Sequence, residues 1–199
     1  MSEGTKRPAI AVQGIAEQLV ELLRPACERI EVAGSLRRRL KMIGDIELVA
    51  IPKIEVVEQA VAGDLFGAIE RVRKNRLWDR LTEVLAGRDT LNHGEKYRKF
   101  LWPTPDGEPI KVDLFTASAG NWGLILLIRT GSATFSEYVV TQLGNQGRPS
   151  HEGWVRSAPH RGHFTDKEKA AMPTIQTPTE QSVFELASLK YRDPWSGRE

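Results

Sequence analysis

The sequence predicts an α+β fold, a mixed sheet flanked by helices with a small α+β unit after it, on three observations. Strand-like alternation of period two recurs at residues 29–33 (RIEVA), 45–51 (DIELVAI), 97–102 (YRKFLW) and 110–115 (IKVDLF). Apolar residues at helical spacing precede these runs (Ile15, Leu19, Leu22, Leu23) and return after them over residues 121–129 and 132–143. With 199 residues, 40% of them hydrophobic, the chain can bury one ordinary core or two small ones.

The first helix is expected from Ile10 towards Ile30, with Pro25 ending or bending it. A strand over residues 29–33 then runs straight into Gly34-Ser35, and a second over 45–51 is stopped by Pro52, leaving SLRRRLKMIG between them as a basic loop. From Val56 to Leu85 the pattern turns helical and carries Arg71, Arg73, Lys74, Arg76 and Arg80, either a solvated face or a grip on nucleic acid. YRKFLW and IKVDLF flank PTPDGEP, whose Asp106-Gly107 pair signals a hairpin and puts Asp113 on its second strand. Two helices follow, then a Gly/Pro-rich stretch with strand-like pieces around Trp154 and His163. TPTEQSVFELASL predicts a terminal helix with Thr179 as N-cap. The change of pattern at residues 116–120 divides the chain into domains 1–118 and 119–199.

Composition narrows the function classes. The 28 Lys and Arg nearly cancel the 26 Asp and Glu, so any nucleic-acid binding must come from local patches. Cys27 is the single cysteine, which rules out an internal disulfide or a cysteine metal cluster and fits a reducing compartment. No apolar run reaches the roughly 18 residues that span a bilayer, and no repeat suggests a solenoid. A soluble intracellular monomer is expected, cytoplasmic or with the nucleoid or nucleus, and without membrane association.

Asp45 and Glu47 lie two apart on a strand, so both project from one face while Ile46 and Leu48 face the core. Paired carboxylates repel unless a cation sits between them, and carboxylate oxygens suit Mg²⁺. Alone, this D-x-E pattern is equally a polar sheet surface. Gly34-Ser35, at the end of a strand, can offer backbone N–H groups to phosphate, and Arg37, Arg38 and Arg39 follow with guanidinium groups suited to it. Asp113 shares a strand face with Lys111 and Phe115 and supplies a third carboxylate. Such a set can organise two ions for in-line phosphoryl displacement.

Together VAGSLRRRLKMIGDIELVAIPK and KVDLFTASAGNWGLILLIRTGSATF resemble the X family of DNA polymerases, the DNA polymerase beta-like group within the nucleotidyltransferase superfamily. The motifs are G-S-x-R-R at Gly34 to Arg38, G-D-x-[DE]-L at Gly44 to Leu48, V-D-L-F at Val112 to Phe115, T-G-S at Thr130 to Ser132, and the closing TEQSVFELASLKYRDPW. Nearly the whole chain takes part, from about residue 10 onward. The resemblance implies a palm domain followed by a thumb-like subdomain, without the amino-terminal lyase and fingers domains of larger relatives. It implies a template-directed DNA polymerase that adds nucleotides to a primer 3′-hydroxyl with two Mg²⁺ ions, for which Mn²⁺ can substitute, and releases pyrophosphate, as in short-gap repair. Its partners would be nucleoside triphosphates and primer-template or gapped DNA.

By the same resemblance Asp45, Glu47 and Asp113 hold the metals, and Asp113 takes the hydroxyl proton. Gly34, Ser35, Arg38, Gly44, Arg129, Thr130 and Gly131 line the nucleotide, while Lys96, Arg98 and Lys111 contact nucleic acid. Lys96, Arg98 and Lys99, with the arginines of residues 71–80, would grip DNA through its backbone. Three departures from the family stand out. Glu47 replaces the usual Asp, Ile128-Arg129 replaces an aromatic pair at the sugar pocket and opens ribonucleotide use, and Ser136 and Val140 replace longer polar residues near the base pair. The alternative is therefore a template-independent transferase, or one acting on RNA or another acceptor. An inactive nucleic-acid-binding module is a third reading, which the intact carboxylates oppose.

Overall fold

A computed structural model describes residues 5–60, 68–88 and 90–198. The chain opens with a two-residue strand, β1 (Arg7–Pro8), and helix α1 (Ala9–Leu23), which passes into a 3-10 turn at Arg24–Ala26 where Pro25 lacks the amide to continue it. Strand β2 (Cys27–Val32) leads to the single helical turn α2 (Gly34–Arg37), the short β3 (Met42–Ile43) and the long β4 (Asp45–Pro52). Next come β5 (Ile54–Ala60), β6 (Ile69–Asn75), α3 (Arg76–Leu85), β7 (Thr90–His93), β8 (Tyr97–Trp102) and β9 (Ile110–Thr116). The remainder comprises α4 (Trp122–Thr130), α5 (Ala133–Asn145), β10 (Ser150–His151), β11 (Trp154–Arg156), α6 (Asp166–Ala171), β12 (Thr174–Ile175) and α7 (Glu180–Leu186).

Five strands form a mixed sheet in the order β2-β4-β9-β8-β7, with β4 and β9 parallel and the other pairs antiparallel. Alternation along the strands sorts the side chains by face. Ile46, Leu48, Phe100, Val112 and Leu114 are fully buried on one face, packed with apolar residues of α1 and α3. Val49, Ile51 and Phe115 point the other way, onto Trp122, Ile125 and Leu126 of α4. The far side of α4 supplies Leu124 and Leu127 to a second cluster with Phe135, Val139, Leu143, Val155, Val183 and Phe184. A helix buried on both sides must be apolar all round, which accounts for the run WGLILLI. Gly123 allows α7 to approach, since a Cβ there would lie 2.0 Å from the Thr179 carbonyl oxygen.

The α+β class and the Asp106-Gly107 hairpin agree with the sequence, and Thr179 caps α7 by accepting from the Ser182 amide. Three expectations change. Of the helix expected over residues 56–85 only Arg76–Leu85 is helical; Ile54–Ala60 and Ile69–Asn75 pair as an antiparallel ribbon, and residues 61–67 lie outside the described residues. β-branched Ile54, Val56, Val57, Ile69 and Val72 favour a strand, yet Ile54, Val56 and Ile69 stay exposed, so no buried face imposes a clean alternation. The basic loop contains α2 and β3, the latter paired with β1. No strand forms at His163; β10, β11 and β12 make a three-stranded sheet around Trp154 instead.

The charge run on β6 and α3 is mostly self-paired on the surface, Arg71 with Glu58, Arg76 with Glu55 and Asp79, and Arg80 with Glu83. Among the described residues no helix is long and apolar enough to cross a membrane.

Candidate active site

The carboxylates converge because β4 and β9 are parallel neighbours. Their register places Glu47 opposite Asp113 and Asp45 opposite Lys111, all on the face that carries Val49 and Phe115 deeper in the sheet. α4 covers that deeper part; at the carboxylate end Asp113 is buried and Asp45 and Glu47 are half-buried. β8 adds Lys99 opposite Asp113 and Tyr97 opposite Phe115. Lys111 Nζ lies 2.8 Å from Asp45 Oδ2 and 3.8 Å from Asp113 Oδ2, and so marks the point between the two carboxylates where positive charge is stabilised. The Asp45 contact, above all, raises the Lys111 ammonium above its ordinary value. Lys99 Nζ stands 3.6 Å from Asp113 Oδ1, and the Tyr97 hydroxyl donates to the same oxygen.

Glu47 is the strained member of the set. Burial, then repulsion from Asp45 and Asp113, pushes its carboxyl up to about 7, against the opposing charges of Arg129 and Arg38. Hard carboxylate oxygens held against their mutual repulsion fit a divalent cation such as Mg²⁺ or Mn²⁺. As the side chains stand, lysines rather than a converged ligand set neutralise them, and among the described residues no three His, Cys, Asp or Glu side chains form a ready-made metal site.

Gly34 touches this centre directly. Its φ of +60° favours glycine, and a Cβ there would fall 1.8 Å from Glu47 Oε2. The Ala33 amide donates to the Glu47 carbonyl at 2.8 Å, which ties the turn to β4. Ala33 is the N-cap of α2 and offers no side-chain acceptor to the first amides of that turn, which begins beside Glu47. No side-chain hydrogen bond engages Ser35 among the described residues. Gly44 is not required by packing, because the nearest atom to a Cβ there is Lys6 Cγ at 3.8 Å.

The three arginines after this turn separate. Arg37 Nη1 and Nη2 each donate to Glu180 at 2.7 Å, and Nη1 also reaches Thr130 Oγ1 at 2.9 Å. Glu180 further accepts from Arg198 Nη1 at 2.5 Å, and Arg198 is fully buried. This ion triad fastens α2 to α7 and the end of the chain. Arg39 stacks on Trp195 at 4.4 Å. Arg38 alone stays by the site: it donates to the Thr130 carbonyl, and its buried Nε has no partner.

Arg129 Cζ sits 3.9 Å over the Phe115 ring with its Nε likewise unpartnered, and burial lowers its guanidinium below the ordinary value despite Glu47 nearby. Thr130 is fully buried, and a Cβ on Gly131 would meet Phe135 at 2.6 Å and Ser136 at 2.9 Å. Ser136 Oγ bonds back to the Ile128 carbonyl at 3.0 Å.

Of the cations expected on nucleic acid, Lys99 and Lys111 reach the site. Lys96 lies beyond it, 3.6 Å from Glu152 on the rim of a cleft of about 460 Å³ between Tyr97, Phe115, Ile128, Arg129 and Trp154. Arg98 is not brought there; alternation turns it to the opposite face, where it stacks on Trp78 at 4.3 Å. Tyr97, Glu180 and Arg198 went unremarked in the sequence. For Tyr97 a signal existed, since residues equidistant from Asp106 pair across the hairpin, which places Lys99 against Asp113 and Tyr97 against Phe115. For Glu180 and Arg198 none did, as their partners are remote in the chain.

No protein-family model matches the chain, and no curated protein matches its sequence.

Proposed function

We propose that the chain is a nucleotidyltransferase, a polymerase of the DNA polymerase beta-like kind, that extends a primer 3′-hydroxyl on a template. The observation that carries this reading is the parallel register of β4 and β9, which gathers Asp45, Glu47 and Asp113 on one face against the Gly34 turn. The motif resemblance supports the polymerase class, with residues 1–118 as palm and 119–199 as thumb-like subdomain. Asp45, Glu47 and Asp113 would hold the divalent ions, which would supply Lewis-acid stabilisation for the acceptor oxygen and the departing pyrophosphate. The amides of the Gly34-Ser35 turn and the Arg38 guanidinium bind the triphosphate. Asp113 takes the proton as the acceptor oxygen bonds to the α-phosphorus and the bond to the pyrophosphate oxygen breaks. Arg129 occupies the sugar side of the nucleotide.

The second reading, transfer to RNA ends or another acceptor without a template, draws on Arg98, which is turned away from the site and leaves few cations to hold a duplex. One experiment tests both. Labelled primer-template, single-stranded DNA and RNA are incubated with each dNTP or rNTP and Mg²⁺ or Mn²⁺, beside Asp113→Ala. Template-dependent extension that vanishes in the variant is expected. Extension that persists in the variant overturns the site, and transfer only to RNA or untemplated ends replaces the polymerase with the second reading.

A further inference from the structure

Asp113 has two oxygens in different surroundings. Oδ1 accepts from the Tyr97 hydroxyl and faces Lys99, whereas Oδ2 faces the Lys111 ammonium that also binds Asp45. A carboxylate free to rotate would exchange the two, and Tyr97 is built so that it cannot swing away. Its ring lies nearly flat on Phe115, centroids 4.7 Å apart and planes 14° apart, as the direct pairing of the two residues across β8 and β9 demands. Phe115 is itself buried and covered by the Arg129 guanidinium. The hydroxyl is thereby fixed from the scaffold upward, by strand register, ring stacking and the covering cation in turn.

Resting on the nucleotidyltransferase reading, we propose that Tyr97 is the positioning residue for Asp113. It holds Oδ1 in a hydrogen bond so that Oδ2 points to the place between Asp113 and Asp45 where cation and acceptor hydroxyl meet. A partner that orients a ligating carboxylate in this way acts on metal affinity and turnover, and leaves nucleotide binding alone.

The test measures Mn²⁺ affinity of the protein alone by electron paramagnetic resonance, together with kcat and nucleotide KM in primer extension, for Tyr97→Phe, Asp113→Asn and the double variant. Circular dichroism checks folding. Tyr97→Phe is expected to weaken Mn²⁺ binding and kcat by about 10- to 100-fold with KM unchanged. In the Asp113→Asn background it should change Mn²⁺ affinity no further, because the two residues form one unit. Wild-type affinity and kcat in Tyr97→Phe, or an equal loss in both backgrounds, overturns the proposal. Should Tyr97→Phe fail to fold, Phe115→Leu keeps the hydroxyl but removes its support, and unchanged Mn²⁺ affinity there overturns it equally. A wild type that transfers no nucleotide to any acceptor removes the functional reading, and the Mn²⁺ comparison alone then decides for or against Tyr97.

Discussion

Glu47→Gln should stabilise the metal-free protein while abolishing the proposed nucleotidyl transfer, a combination expected of a site residue and not of a structural one. Gln preserves shape and removes the charge that burial and the Asp45 and Asp113 carboxylates oppose. With the folded carboxyl pushed up to about 7 from an ordinary 4.5, ionising Glu47 costs the folded state about 3 kcal/mol at alkaline pH. The sign follows from proton counting. Between these two values the folded state binds more protons than the unfolded, so wild-type stability falls as pH rises through the window. The variant lacks this loss. Urea denaturation in EDTA should therefore show Glu47→Gln more stable by about 3 kcal/mol near pH 8.5, with a melting temperature roughly 6–12 °C higher, and by under about 0.5 kcal/mol near pH 4.5. Added Mg²⁺ should raise the wild type towards the variant. A variant less stable than wild type near pH 8.5, or a difference independent of pH, would refute the reasoning and make Glu47 a structural partner of Arg129 and Arg38.

Gly34→Ala brings a methyl onto Glu47 Oε2 at a φ of +60°, and denaturation should register a loss of about 1–3 kcal/mol together with loss of transfer. Glu180→Gln leaves Arg37 and Arg198 buried without their counter-charge and should cost about 3–5 kcal/mol in the same assay. In the wild type burial alone would raise the Glu180 carboxyl, but the bonds from Arg37 and Arg198 outweigh it and hold it below the ordinary value. Its contribution is complete above the ordinary glutamate range and is lost as pH falls through the depressed folded value, so acid-unfolding curves of wild type and Glu180→Gln should converge at low pH. Cys27, buried and pushed up to about 11 chiefly by desolvation, should resist a disulfide reagent in the native protein and react fully in denaturant.

Local pattern was enough where one buried face wrote it into the chain. The alternation of β4 and β9 named Asp45, Glu47 and Asp113 as neighbours of a core, and Asp106-Gly107 declared the hairpin between β8 and β9. The ribbon at Ile54–Ala60 and Ile69–Asn75 was misread as helix because exposed Ile54, Val56 and Ile69 obey no single packed side. Arg37 and Arg39 were indistinguishable from Arg38 for a related reason, as Glu180 and Trp195, which engage them, lie over 140 residues away.

By itself, then, the sequence determined which residue types could do the chemistry and which strand face they occupy, because side-chain alternation is a local property of extended backbone. Only the tertiary structure decided that β4 and β9 run parallel and in register, that burial and then the neighbouring carboxylates raise Glu47 above the ordinary carboxylate range, and that of the three arginines Arg38 alone keeps a buried, unpartnered Nε. Strand order, burial and charge repulsion depend on parts of the chain that meet only when it folds.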